Sequence, residues 1–202
     1  MFKTLSSLLS TFFFFAVIGL VLMITSIWKI SQELPEYKQL AKNEPAVTTR
    51  LYAGDGQLMM EYAVEKRLFV PEEKIPSLVK NAFIAAEDKK FYSHSGIDFV
   101  GIARAVIGNL KNIGTGRRPA GASTITQQVA KNFLLSSELS YVRKIKEAIL
   151  ATRIEQAFTK QHILELYLNE IYLGNRSYGV AAAALNYFGK SLDELSLEEV
   201  AY

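Results

Sequence analysis

Glu87-Asp88-Lys89-Lys90-Phe91-Tyr92-Ser93-His94-Ser95-Gly96 closes an apolar run with an acidic pair, an aromatic, a histidine and a glycine. Upstream, Leu78, Val79, Ala82, Phe83 and Ala86 recur at helical spacing, which predicts a helix that runs out at Glu87. A carboxylate in that place belongs at the rim of a cleft, beside apolar wall, where a general base is useful. An acidic surface turn is the plainer reading of Glu-Asp alone, because charged side chains are mostly exposed. Later segments favour the cleft.

Gly121-Ala122-Ser123-Thr124-Ile125-Thr126-Gln127-Gln128 reads as a helix start, with Thr124 and Gln127 at capping-box spacing. At about 100° per residue, Thr124, Gln127, Gln128 and Lys131 share one side, and Ile125, Val129 and Phe133 another. Amide donors, the helix dipole and an ammonium on the polar side suit a phosphate. A solvated face is the alternative, although adjacent glutamines are unusual for one.

Tyr141 to Phe158 is predicted helical, with Val142, Ile145, Ala148 and Ile149 inward. Arg143 and Glu147 lie on the opposite side, flanked by Lys144 and Lys146. A basic residue ahead of an acidic one is the weaker order for an ion pair that contributes only about 0.2–0.5 kcal/mol. Stability explains the cluster poorly. A carboxylate among cations instead suits a pyrophosphate, or a metal that bridges to one.

Half of the 202 residues are hydrophobic, and the excess sits at the start. Leu8 to Ile27 has Ser10, Thr11, Thr25 and Ser26 as its polar residues, a length that suits an uncleaved membrane anchor better than a signal peptide. Lys3 and Lys29 on its two sides leave the orientation undecided. A net charge of +3 does not argue for nucleic acid, and with no cysteine there is neither a disulfide framework nor a thiolate metal site. Ser31 to Pro45 reads as a polar stalk and Val47 to Tyr62 as a hairpin turning at Gly54-Asp55-Gly56.

From Ile97 to Lys111, Phe99, Ile102, Ala103, Val106, Ile107 and Leu110 form one apolar face. It fits a core helix or a face dipping into a bilayer, and periodicity does not separate the two. A basic, flexible loop follows at Gly114 to Pro119. Lys160 to Asn169 is a short buried helix by its Ile163, Leu164, Tyr167 and Leu168, with His162 at the surface or a cap. Val180 to Phe188 is a small-residue helix after a loop at Gly174 to Gly179, and Ser196-Leu197-Glu198-Glu199 starts a further helix close to the end.

Taken together, five ordered segments resemble the peptidoglycan glycosyltransferases of family 51. They are Glu87-Asp88-x-x-Phe91-x-x-His94-x-Gly96; Gly121-Ala122-Ser123-Thr124-x-Thr126-Gln127-Gln128; Arg143-Lys144-x-x-Glu147; Ile163-Leu164-Glu165-x-Tyr167-Leu168-Asn169; and Arg176-x-Tyr178-Gly179 with its alanine run. The resemblance implies a mainly α, lysozyme-like domain with a small β-hairpin and an N-terminal transmembrane helix. It divides the chain into 1–30 as cytoplasmic tip and anchor, 31–46 as stalk and 47–202 as the glycosyltransferase domain, ending short of the transpeptidase domain that bifunctional members carry.

By the same resemblance, Glu87 is the base that deprotonates the acceptor 4-hydroxyl, and Glu147 is the second carboxylate, placing the pyrophosphate or a divalent cation such as Mg or Mn. No organic cofactor is expected. Lys131, Arg143 and Lys146 neutralise the leaving undecaprenyl pyrophosphate. Ser123, Thr124, Gln127 and Gln128 line sugar and phosphate subsites, and Arg176 joins the substrate-binding set. Asp88, Phe91 and His94 shape the Glu87 loop. One departure is Glu138-Leu139-Ser140, where many relatives have an arginine. Expected partners are lipid II, the growing glycan strand, the bilayer and cell-wall synthesis proteins, with the domain on the outer side of a bacterial cytoplasmic membrane. A lysozyme-type hydrolase or a non-catalytic anchored scaffold are the rival functions.

Overall fold

A computed structural model describes residues 2–42, 49–62, 66–135 and 140–202. The chain is mainly helical, with a small hairpin and an apolar N-terminal helix, as the sequence predicts. Helix α1, Phe2–Gln32, contains a stretch, Ser10–Gln32, of mean hydropathy 2.3 in which nothing is buried by the rest of the protein. Two of its hydroxyls are satisfied within the helix, Thr25 donating to the Val21 and Leu22 carbonyls and Ser26 to that of Leu22. Polar residues so paired are compatible with hydrocarbon.

The expected stalk is more structured than its composition implies. Helix α1 continues through Gln32, and Tyr37–Lys42 forms a 3-10 turn. Tyr37 and Leu40, three residues apart, share one side of such a turn. Leu40 is buried in the domain core, with Leu34 and Tyr37 packed against it. Residues 43–46 lie outside the described residues, as do Val47 and Thr48 of the predicted hairpin. Strands β1, Thr49–Tyr52, and β2, Leu58–Tyr62, pair antiparallel with Thr49 opposite Tyr62. The short strand β3, Lys66–Arg67, runs parallel to β4, Ser177–Tyr178.

The remaining helices are α2 (Ser77–Glu87), α3 (Phe99–Lys111), α4 (Ile125–Leu134), α5 (Tyr141–Ala157), α6 (Lys160–Glu170), α7 (Val180–Phe188) and α8 (Leu197–Ala201). Helix α4 packs on both α5 and α6. Ile125, Val129 and Ala130 meet Leu150 and Ile154 of α5 and Ile163, Leu164, Tyr167 and Leu168 of α6 in the core. Each buried Ile, Leu or Val there stabilises the fold by about 1.5–3 kcal/mol relative to exposure.

Polar residues of α6 attach the segment ahead of α2. Asn169 accepts from the Val70 amide and donates to the Val70 carbonyl, while Glu165 accepts from the Glu72 amide. Gly179, at φ 80°, starts α7 where a Cβ would lie 2.6 Å from the Asn169 carbonyl oxygen, so only glycine allows that approach.

Helix α5 differs from expectation. Val142 and Ile145 are exposed, and the buried face is Glu147, Leu150, Ala151 and Ile154. Helix α3 buries no residue against the rest of the described protein, leaving Phe99, Val100, Val106, Ile107 and Leu110 exposed.

Candidate active site

Glu87 is the last residue of α2, exposed, and its Oε2 accepts a 2.8 Å hydrogen bond from Gln128 Nε2. It therefore stands in the open and not against the apolar wall that the sequence led us to expect. The next residue turns inward. Asp88 is buried, and its carboxylate accepts from His94 Nε2 at 2.9 Å and from the Ile125 amide at 3.1 Å.

The Gly96 amide donates to His94 Nδ1 at 3.2 Å, which requires that nitrogen to be unprotonated. The ring proton thus sits on Nε2 and points at Asp88. Phe91 is fully buried beneath the Lys160 ammonium, 4.4 Å from its ring centroid, and Lys160 in turn pairs with Glu155 at 2.7 Å. Gly96 has φ 94° and packs so closely on α5 that a Cβ would meet the Ala151 carbonyl oxygen at 2.7 Å. The segment after Glu87 is thereby fixed from three sides.

The start of α4 is engaged by the protein itself. The Ile125 amide is given to Asp88, and the Gln127 amide to Thr124 Oγ1, whose own proton goes to the Gly96 carbonyl. Gln127 Oε1 closes the capping box on the Thr124 amide. A protein carboxylate therefore occupies the place where the helix dipole suits a phosphate. Thr124, buried within this network, caps α4.

Ala86, Glu87, Gly121, Ser123, Gln127, Gln128, Lys131, Arg143, Lys144 and Glu147 line one cleft of about 520 Å³. It brings together most of the residues singled out in the sequence. Thr124, Lys146 and Arg176 are not among its lining residues. Arg176 lies instead on an exposed turn with φ 60°, between Gly174 and β4.

Lys144 is the addition, and helical geometry explains the exchange with Lys146. Residues three and four before Glu147 share its face, whereas its immediate neighbour is turned away by about 100°. Lys144 Nζ reaches Glu147 Oε2 at 2.6 Å and Ser123 Oγ at 2.7 Å, and Arg143 Nε lies 3.2 Å from Glu147 Oε1. Glu147 itself is only 2% exposed.

Lys131 is exposed on the α4 wall. Burial and then the charge of Glu87 push the Tyr167 phenol well above its ordinary value. These residues do not fit a divalent cation held by the protein. Both oxygens of Glu147 face cations, and no cluster of three His, Cys, Asp or Glu with metal-holding geometry occurs among the described residues.

The model of the Transglycosylase family matches residues 55–202. The chain is 52% identical over its full 202 residues to penicillin-binding protein 1A of Rickettsia felis, covering 26% of that protein. It is 48% identical over 186 residues, 92% of the chain and 23% of the relative, to penicillin-binding protein 1A of Neisseria flavescens. A crystal structure of penicillin-binding protein 1A from Haemophilus influenzae matches at 27% identity over 78% of this chain and 13% of that one, with a TM-score of 0.35. The chain spans about a quarter of the length of these curated relatives. With most of its length under the family's pattern, the chain belongs to the Transglycosylase family, the peptidoglycan glycosyltransferases of family 51.

Proposed function

We propose that this chain polymerises lipid II into β-1,4-linked glycan strands, as a single-pass protein with its domain outside the bacterial cytoplasmic membrane. One observation supports the reading: one cleft is lined both by an exposed carboxylate, Glu87, and by Lys131, Arg143 and Lys144. Glu87 takes the proton of the acceptor 4-hydroxyl as that oxygen attacks the anomeric carbon of the donor. The bond from that carbon to the undecaprenyl pyrophosphate oxygen breaks, and the α-linkage inverts to β. Negative charge grows on the departing oxygen, so fixed cations bind the transition state better than the ground state. No acid is needed to protonate such a leaving group.

Glu147 spaces and orients Arg143 and Lys144, and Ser123 orients Lys144 from the opposite side. Charge compensation is assigned to these side chains, without a step through a metal. The membrane is the place where the substrate lives, and two apolar surfaces suit it: the Ser10–Gln32 span and the uncovered face of α3. Incubating the full chain with labelled lipid II should give polymer with inverted linkage. Release of fragments from preformed glycan, with no polymer, would instead assign a hydrolase of the lysozyme type.

A further inference from the structure

The last turn of helix α1 is fastened to α5 of the domain. Arg153 Nη2 donates to Ser31 Oγ at 2.6 Å and to the Ser31 carbonyl at 3.3 Å, joining residues 122 apart in sequence. Ser31 is in the last turn of α1, and Arg153 is on α5, the helix whose earlier turns carry the cationic wall. Directly after Ser31 the chain enters the core through Leu34, Tyr37 and Leu40. The apolar N-terminal helix and the helix that carries Arg143 and Lys144 are thus joined by direct side-chain contact.

We propose that Arg153 is a positioning residue that locks the anchor to α5 and so holds the cleft at a set height and tilt over the bilayer. The inference rests on the proposed reaction with a lipid-linked donor. A tether alone raises the local concentration of such a donor, whereas a locked pose also aligns it. Substrate embedded in a bilayer has its own fixed height and orientation, and it rewards alignment. Substrate in a micelle tumbles with the protein and does not.

The test compares the full chain with Arg153→Met, which keeps the aliphatic stem and loses the donors. Lipid II turnover in vesicles of phosphatidylethanolamine and phosphatidylglycerol should fall about tenfold, while turnover in detergent micelles stays within about twofold. Equal loss in both settings, or no loss in vesicles, overturns the proposal. Should Arg153→Met lower the folded fraction, Ser31→Ala removes the 2.6 Å bond from the other side and carries the same comparison. A second readout needs no activity. The chain has no cysteine, so spin labels at Gly19→Cys and Gln156→Cys report the pose directly. One narrow distance distribution should broaden in Arg153→Met, and an unchanged distribution overturns the lock. Absence of polymer from the unsubstituted chain in both settings would sink the proposed reaction, while the labels still decide the docking.

Discussion

Glu87 ends a helix in the open, touched by the neutral amide of Gln128, whereas Glu147 lies buried in mid-helix between Arg143 and Lys144. Both carboxylates line the same cleft. A neutral donor orients a carboxylate but leaves its charge free to attract a proton. Two cations hold the charge in place and turn the group into a fixed electrostatic element. In the proposed reaction it is surroundings, more than residue type, that divide the roles of base and support.

The comparison is broken most directly at Glu87. Glu87→Gln keeps shape and exposure but cannot take a proton, so turnover should fall by about 10²–10⁴. Its melting temperature should stay with the parent, since an exposed change shifts stability within about ±0.5 kcal/mol. Near-parental turnover would remove Glu87 from the base role.

Glu147→Gln should act on both quantities, with turnover falling by about 10² as the cations lose their alignment. Arg143 and Lys144 would then face each other across a neutral amide, and stability should fall by about 1–3 kcal/mol in denaturant unfolding. A loss of turnover without loss of stability would place Glu147 on the substrate and not under the cations. The smallest effect belongs to Gln128→Ala, which frees Glu87 to swing. Turnover should drop about tenfold with unchanged melting, and an undiminished rate would show that Glu87 needs no orienting amide.

Where the sequence pattern is local, it reads the fold well. The end of α2 at Glu87, the Thr124–Gln127 capping box and the extent of α7 all follow from spacings within a turn or two. It misjudges α5 because a hydrophobicity rule places Val142 and Ile145 inside and Glu147 outside. Pairing with Arg143 and Lys144 reverses that order, since a neutralised carboxylate can be buried. The α3 periodicity resembles that of α4, but only α4 has helices laid over its apolar side. Period reveals a face and is silent about what covers it. The bonds from Ile125 to Asp88 and from Arg153 to Ser31 span 37 and 122 residues, beyond any local pattern.

The ring at position 94 also limits which amino acids the position tolerates. It meets an acceptor, the Asp88 carboxylate, on one edge and a donor, the Gly96 amide, on the other. Lysine and arginine offer donors alone, and an ionised carboxylate offers acceptors alone. Neither sign of charge can therefore stand in for histidine, and serine or threonine is too short to reach both partners at once. Neutral imidazole supplies a donor and an acceptor at a rigid separation, with one degree of twist to align them. The position is selective for a shape with two opposite hydrogen-bonding ends, irrespective of whether that residue ever exchanges a proton with substrate.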